Sequence, residues 1–199
     1  MISNDGVRPV ANLVLGLKVA KSEGQRPMLP TIRNMRPDDA RAFLDVHHAA
    51  VRAIAARDYL SDVIEAWAPL PVTEAAVERV RANEDDEFRL IAEIDGQVAG
   101  IGALVIGSGE LRACYVAPEA GRRGVGTALV KEIERVARER GLTFLKVDSS
   151  VTAEPFYALL GYEALEHGQH TLNSGQLMAC VKMRKELGTR SRKVSGPLT

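Results

Sequence analysis

The stretch Pro118-Glu119-Ala120-Gly121-Arg122-Arg123-Gly124-Val125-Gly126-Thr127 holds the residues best suited to chemistry. A helix opening at about Gly124 leaves its first backbone N–H groups without partners, and its dipole adds positive charge at that end. Glycines let the main chain approach an anion closely, and Arg122 and Arg123 bring charged donors. The chemistry such a turn supports is the binding of a phosphate or diphosphate. Taken alone, the pattern is equally a tight turn that packs a helix on a sheet. Two other phosphate motifs do not fit. A P-loop carries a lysine ahead of its Ser or Thr, whereas Thr127 directly follows Gly126. A dinucleotide fingerprint opens a βαβ unit after its first strand, whereas this turn follows three strands in a meander.

The elements that must position this turn are legible from periodicity. Thr31 to Arg36 alternates as a short strand, and Pro37-Asp38-Asp39 suits a helix's first turn. Phe43, Leu44, His47, Val51, Ile54 and Ala55 then recur on one helical face, with His48 at its edge and on the surface. Shorter helices are expected over Ser61–Trp67 and Thr73–Ala82. Strands are expected over Phe88–Ile94, Val98–Ile106 and Glu110–Ala117, joined by an Asp95-Gly96 hairpin and a Gly107-Ser108-Gly109 turn. The next helix carries Val125, Leu129, Ile133 and Val136 as one stripe, with Glu134 off it, and Gly141 stops it. Leu142–Val147 is a strand, parallel to Glu110–Ala117 by a right-handed crossover. A helix over Ala153–Leu160 and a hairpin of Tyr162–Glu166 with Leu177–Met183 close the pattern, leaving His167 and His170 in a polar loop. The result is an α/β sandwich with a mixed sheet. Residues 1–30 read as an N-terminal extension, 31–185 as one domain and 186–199 as a basic tail.

Composition narrows the function classes. Lys plus Arg and Asp plus Glu number 26 each, so no global field draws the 199-residue chain to nucleic acid or to an anionic membrane. A few charges in Arg190-Ser191-Arg192-Lys193 are a solvated tail. No stretch reads as a membrane span. Cys114 and Cys180 lie in strand-like runs and read as reduced thiols, which makes a reducing cytoplasm the expected compartment. The adjacent His47 and His48, and His167 with His170, lack metal-ligand spacing, so no metal is expected.

Tyr115-Val116-Ala117-Pro118, then Arg122-Arg123-Gly124-Val125-Gly126, then Ala128-Leu129-Val130, resembles the acetyl-CoA motif of the GNAT N-acetyltransferases. Farther along, Ala153-Glu154-Pro155-Phe156-Tyr157-Ala158-Leu159-Leu160-Gly161-Tyr162 is similar to that family's second signature, a Phe-Tyr pair followed by Gly-Tyr. Both occur in family order with a strand between them. There is one departure: Gly121 stands where the family usually has Gln or Arg, so a side-chain contact to the pyrophosphate falls to Arg122 or is missing.

The resemblance implies a mixed, mostly antiparallel central sheet flanked by helices, with a splayed parallel strand pair at the cofactor site. It implies acetyl-CoA as co-substrate, its pantetheine arm paired with the backbone of Cys114, Tyr115 and Val116. The pyrophosphate would rest on the main chain of Arg122, Arg123, Gly124, Val125, Gly126 and Thr127. The implied activity is acetyl transfer to a primary amine of a small molecule or peptide, by direct attack. By pattern Tyr157 is a core aromatic beside Phe156; the resemblance makes it the general acid for the departing thiolate. His47, Tyr59 and Trp67 are candidates for the acceptor pocket, and Glu93 or Glu110 for driving a water relay. An acetyl-cysteine on Cys114 is disfavoured by its strand setting. The competing expectation is a non-catalytic acyl-CoA-binding module, and the sequence allows a homodimer.

Overall fold

The computed structural model describes residues 29–188; the readings made on residues 1–28 and on Arg190–Lys193 lie outside the described residues. The chain runs from strand β1 (Thr31–Asn34) through helices α1 (Ala40–Ala53), α2 (Ser61–Trp67) and α3 (Glu74–Ala82). A meander follows: β2 (Phe88–Ile94), β3 (Gln97–Val105) and β4 (Glu110–Val116). It then passes through α4 (Val125–Glu139), β5 (Phe144–Ser150), α5 (Glu154–Leu159), β6 (Glu163–Thr171) and β7 (Leu177–Glu186). This is the element order expected from the sequence. Local chemistry explains most boundaries. The Thr73 hydroxyl accepts from the Ala76 amide at 3.2 Å and caps α3. Asp95 and Gly96 both take the positive φ, 54° and 74°, that a two-residue hairpin of type I′ requires.

The strands form one seven-stranded sheet in the order β1-β2-β3-β4-β5-β7-β6. Every neighbouring pair is antiparallel except β4 and β5, which are parallel and register only at Glu110 with Lys146. Beyond that point β4 stays paired with β3 as far as Val116, and β5 with β7 as far as Ser150. A register shift between Ala103 and Leu104 marks a bulge in the β3–β4 ladder, where the local twist sharpens. The expected splayed parallel pair is present.

Helix α4 packs closely on β3 because Gly100 and Gly102 leave room for it. A Cβ at Gly100 would lie 2.6 Å from Val125 Cγ1, and one at Gly102 3.1 Å from Ile133 Cδ1. The α4 stripe of Val125, Leu129, Ile133 and Val136 is buried as expected. Glu134 is buried too, contrary to the sequence reading, because it is paired: Lys185 Nζ lies 2.7 Å from one carboxylate oxygen and Arg138 donates to the other at 3.1 Å. Lys185 also donates to the Leu160 carbonyl at 2.6 Å, so this trio joins α4, β7 and the end of α5. Removing Glu134 leaves the part-buried Lys185 and Arg138 side by side without their carboxylate. Glu134→Ala is expected to cost about 3 kcal/mol, read as a lower urea midpoint with an unchanged m-value.

The last hairpin is longer than its sequence suggested. β6 runs to Thr171 instead of ending near Glu166, so His167 and His170 lie on a strand and not in a loop. It is an edge strand with nearly every residue exposed on both faces, so it carries no apolar alternation to reveal it.

Candidate active site

The turn before α4 has the geometry of an anion cradle. Gly124 is the residue ahead of α4 and takes φ +81°, a left-handed conformation that glycine adopts without strain. Arg122 takes φ +60°, which is uncommon for a residue with a side chain. Ala120 and Gly121 close a short turn through their amides, and Ala128 donates to Gly124 to begin the helix ladder. Between them, the amides of Arg122 through Thr127 find no backbone acceptor among the described residues. These donors, at the positive end of a fifteen-residue helix, fit a diphosphate. Arg123 lies 3.9 Å from Asp95, and both side chains are largely exposed. Gly121 adopts an ordinary φ of −55°, so its backbone makes no demand for glycine there.

Gly126 has a second task. A Cβ there would lie 3.1 Å from Phe156 Cζ and 3.5 Å from Val116 Cγ2, so the helix start rests directly on α5 and β4. The Cys114 thiol donates to the Gly126 carbonyl at 3.8 Å from the strand below. Burial pushes that thiol up to about 12, so it stays protonated and is a poor nucleophile.

Tyr157 lies behind this junction. Its ring packs edge-on against Phe156 and Tyr162, with centroids 5.1 Å and 5.4 Å away. Burial, then the nearby Cys114, Tyr115 and Tyr162, hold its phenol well above the usual range, so it keeps its proton at neutral pH. Burial likewise raises Tyr115, to about 12, and Tyr162. An unfolded chain loses tyrosine protons from about pH 10, whereas the folded protein holds these three beyond that. Their folded values are raised, so the stability they support is complete below about pH 10 and drains away as pH rises further. The urea midpoint is expected to fall above pH 10 in step with tyrosinate absorption.

The three acceptor-pocket candidates form one aromatic chain that runs through Tyr115. His47 stands edge-on to the Tyr115 ring at 4.6 Å, Trp67 faces Tyr115 at 6.4 Å, and Tyr59 faces Trp67 at 5.6 Å. Tyr59 also ties the segment between α1 and α2 across the splayed strands. Its hydroxyl donates to the Ala179 carbonyl at 2.6 Å and accepts from the Val151 amide at 2.9 Å. Thr152 donates to Asp58 at 2.7 Å, and Gln176 to Asp62 at 3.2 Å, along the same seam. Burial, then the neighbouring His48, push His47 down to about 3, so its imidazole is neutral and too weak a base for an alkylammonium.

Other expectations require correction. His48 is buried, not at the surface, because α1 packs at once on β3, β4 and α3 and hides a wider arc than one stripe. Glu93 is held by Arg33 at 2.7 Å on the far edge of the sheet, and Glu110 by Arg112 at 3.0 Å at the closed end of the splay. Neither carboxylate is placed to drive a relay at the open end. The role of Gly100 and Gly102 was missed; two glycines at period two within a strand are the signal that marks such a close approach.

No helix among the described residues is long and apolar enough to cross a membrane, and no group of His, Cys, Asp or Glu among them is arranged to hold a metal ion. Comparison with known proteins agrees with this geometry. A crystal structure from Rhodopseudomonas palustris, described as a GCN5-related N-acetyltransferase, aminotransferase class II, superposes with a TM-score of 0.72 at 30% identity, covering 82% of this chain and 99% of that one. The PaiA N-acetyltransferase of Thermoplasma acidophilum, solved in complex with coenzyme A, shares the fold with a TM-score of 0.62 at 20% identity, covering 80% and 99%. In sequence, the uncharacterized N-acetyltransferase YafP of Escherichia coli is 27% identical over 135 residues, 68% of this chain and 82% of that protein. The acetyltransferase (GNAT) domain profile matches residues 55–187, well over half the chain, and the protein belongs to the GNAT family of acetyltransferases.

Proposed function

We propose that the protein transfers the acetyl group of acetyl-CoA to a primary amine of a small molecule or peptide, by direct attack in a ternary complex. The observation that carries this reading is the row of unpartnered amides from Arg122 to Thr127, set beside the only parallel, splayed strand pair of the described sheet. Acetyl-CoA supplies a thioester whose carbonyl carbon accepts an amine.

In this reading the chain does four things. The amides before α4 hold the diphosphate, and the backbone of Cys114, Tyr115 and Val116 pairs with the pantetheine arm. A main-chain N–H of that segment polarises the carbonyl oxygen, where negative charge grows during attack. The cluster of His47, Tyr59, Trp67 and Tyr115 orients the amine. The Tyr157 hydroxyl, kept protonated by burial, gives its proton to the departing sulfur. A thiol raised to about 12 at Cys114 supports direct attack over an acetyl-cysteine route. The two free cysteines suit a reducing compartment such as the cytoplasm.

Calorimetry with CoA, followed by CoA release across a panel of amines, tests the proposal. Binding with turnover of at least one amine is the expected result. Binding without any turnover would make the chain an acyl-CoA-binding module, and absence of binding would remove the reading altogether.

A further inference from the structure

An alkylammonium with a pKa of about 10 must lose a proton before it can attack, and the chain must provide somewhere for that proton to go. Four histidines occur in the sequence. Burial pushes His47 down to about 3, too weak a base, and His48 is lowered too and buried between α1 and its neighbours. His167 and His170 both lie on β6, three residues apart, and therefore on opposite faces of the strand. His170 Nδ1 lies 3.1 Å from Asp148 Oδ2. An ionised carboxylate only accepts, so Nδ1 carries the hydrogen and Nε2 is left with its lone pair. That is the arrangement of an oriented base.

The location matters as much as the pair. Asp148 lies two residues past Lys146, whose pairing with Glu110 is the one register pair of β4 and β5 among the described residues, so it stands where the ladder has ended. On β5, Leu145, Val147 and Ser149 are buried, and Lys146 and Asp148 take the exposed face between them. Three residues on, the Val151 amide donates to the Tyr59 hydroxyl at 2.9 Å, and that hydroxyl donates to the carbonyl of Ala179 on β7 at 2.6 Å. Asp148 therefore adjoins the Tyr59 seam. Around it, Lys182 is engaged by Glu166 at 3.3 Å. Asp58 and Asp62 are engaged by Thr152 and Gln176, and Glu65 by Arg52.

Resting on the acetyl-transfer reading above, we propose that His170 takes the proton from the acceptor ammonium, directly or through one water, and that Asp148 positions it. The N–H bond breaks, its proton passes to Nε2 and the electron pair stays on nitrogen. That pair forms the C–N bond to the acetyl carbon as the C–S bond breaks. The sulfur takes the Tyr157 proton, the surplus proton of the new amide nitrogen restores that hydroxyl, and His170 releases its proton to water.

The test compares wild type, His170→Gln and Asp148→Asn, each with an alkylamine and with an aromatic amine that is already neutral at pH 7. With the alkylamine, His170→Gln should lower kcat/KM roughly 100-fold and abolish the acid limb of its pH profile. Asp148→Asn should lower it about tenfold. With the aromatic amine the penalty of His170→Gln should shrink to about threefold or less, since no proton need be removed before attack. CoA affinity and the thermal midpoint should stay unchanged in both variants. An unaltered acid limb in His170→Gln, or an equal penalty with both amines, overturns the role of His170 while leaving acetyl transfer intact. A wild type that binds CoA but turns over neither amine overturns the transfer reading and this inference with it.

Discussion

Gly126→Val is expected to weaken CoA binding about 1,000-fold while leaving a folded protein. The Cβ alone would lie 3.1 Å and 3.3 Å from two atoms of the Phe156 ring and 3.5 Å from Val116 Cγ2. The two ring contacts are tighter than ordinary van der Waals packing, and two further methyls extend them into a clash. With the Phe156 ring held between Gly126 and Tyr157, the first turn of α4 is expected to lift from α5, carrying the amides of Gly124 to Thr127 out of their common direction. Each hydrogen bond to a charged acceptor is worth about 1.5–3 kcal/mol. Losing two of them accounts for roughly 4 kcal/mol, or about 1,000-fold in affinity. The helix's remaining packing through Leu129, Val130 and Ile133 is untouched, so secondary structure by circular dichroism should be preserved. Calorimetry at matched ionic strength reads the effect. A variant that binds CoA within threefold of wild type would show that the diphosphate does not rest on this turn.

Tyr157→Phe is expected to act on turnover and not on binding. The ring packs against Phe156 and Tyr162 and would do so equally as phenylalanine, so the cofactor's seat is preserved. What disappears is a proton held by burial against Cys114 and Tyr115. General acid catalysis is worth about 100- to 10,000-fold, and kcat should fall roughly 1,000-fold with the Kd for CoA unchanged. Because the wild-type phenol is held well above its usual range, activity should show no alkaline loss from Tyr157 up to about pH 10. Thioester donors with a more acidic leaving thiol should narrow the gap between variant and wild type, since their thiolate needs less help to depart. Unchanged kcat in the variant across pH would assign Tyr157 to packing alone.

Much of this protein was legible in one dimension because the relevant signals are local. A hairpin turn needs positive φ at two adjacent residues, and Asp95-Gly96 supplies it. A helix start needs only its own first residues to present free amides, so Arg122 to Thr127 announce that row of donors within six positions. The stripe of α4 repeats because a helix buried on one side must repeat. Where a signal depends on partners far away in sequence, reading failed. Glu134 looks like a surface residue until Lys185, 51 residues on, meets it. His48 looks exposed until α3 closes over α1. The strand β6 is silent because an edge exposed on both faces has no reason to alternate.

The division has one physical origin. Backbone geometry and helix amphipathicity are decided within a few residues, so residue order alone determined the element sequence, the crossover and the turn of free amides before α4. The packing of His47 and Trp67 on Tyr115, the tether from Tyr59 to the end of β5 and to β7, and the His170–Asp148 pair join residues between 22 and 120 positions apart. Those contacts exist only after strands β4 and β5 part and the chain returns through β7 and β6, and it is the sheet that decided them.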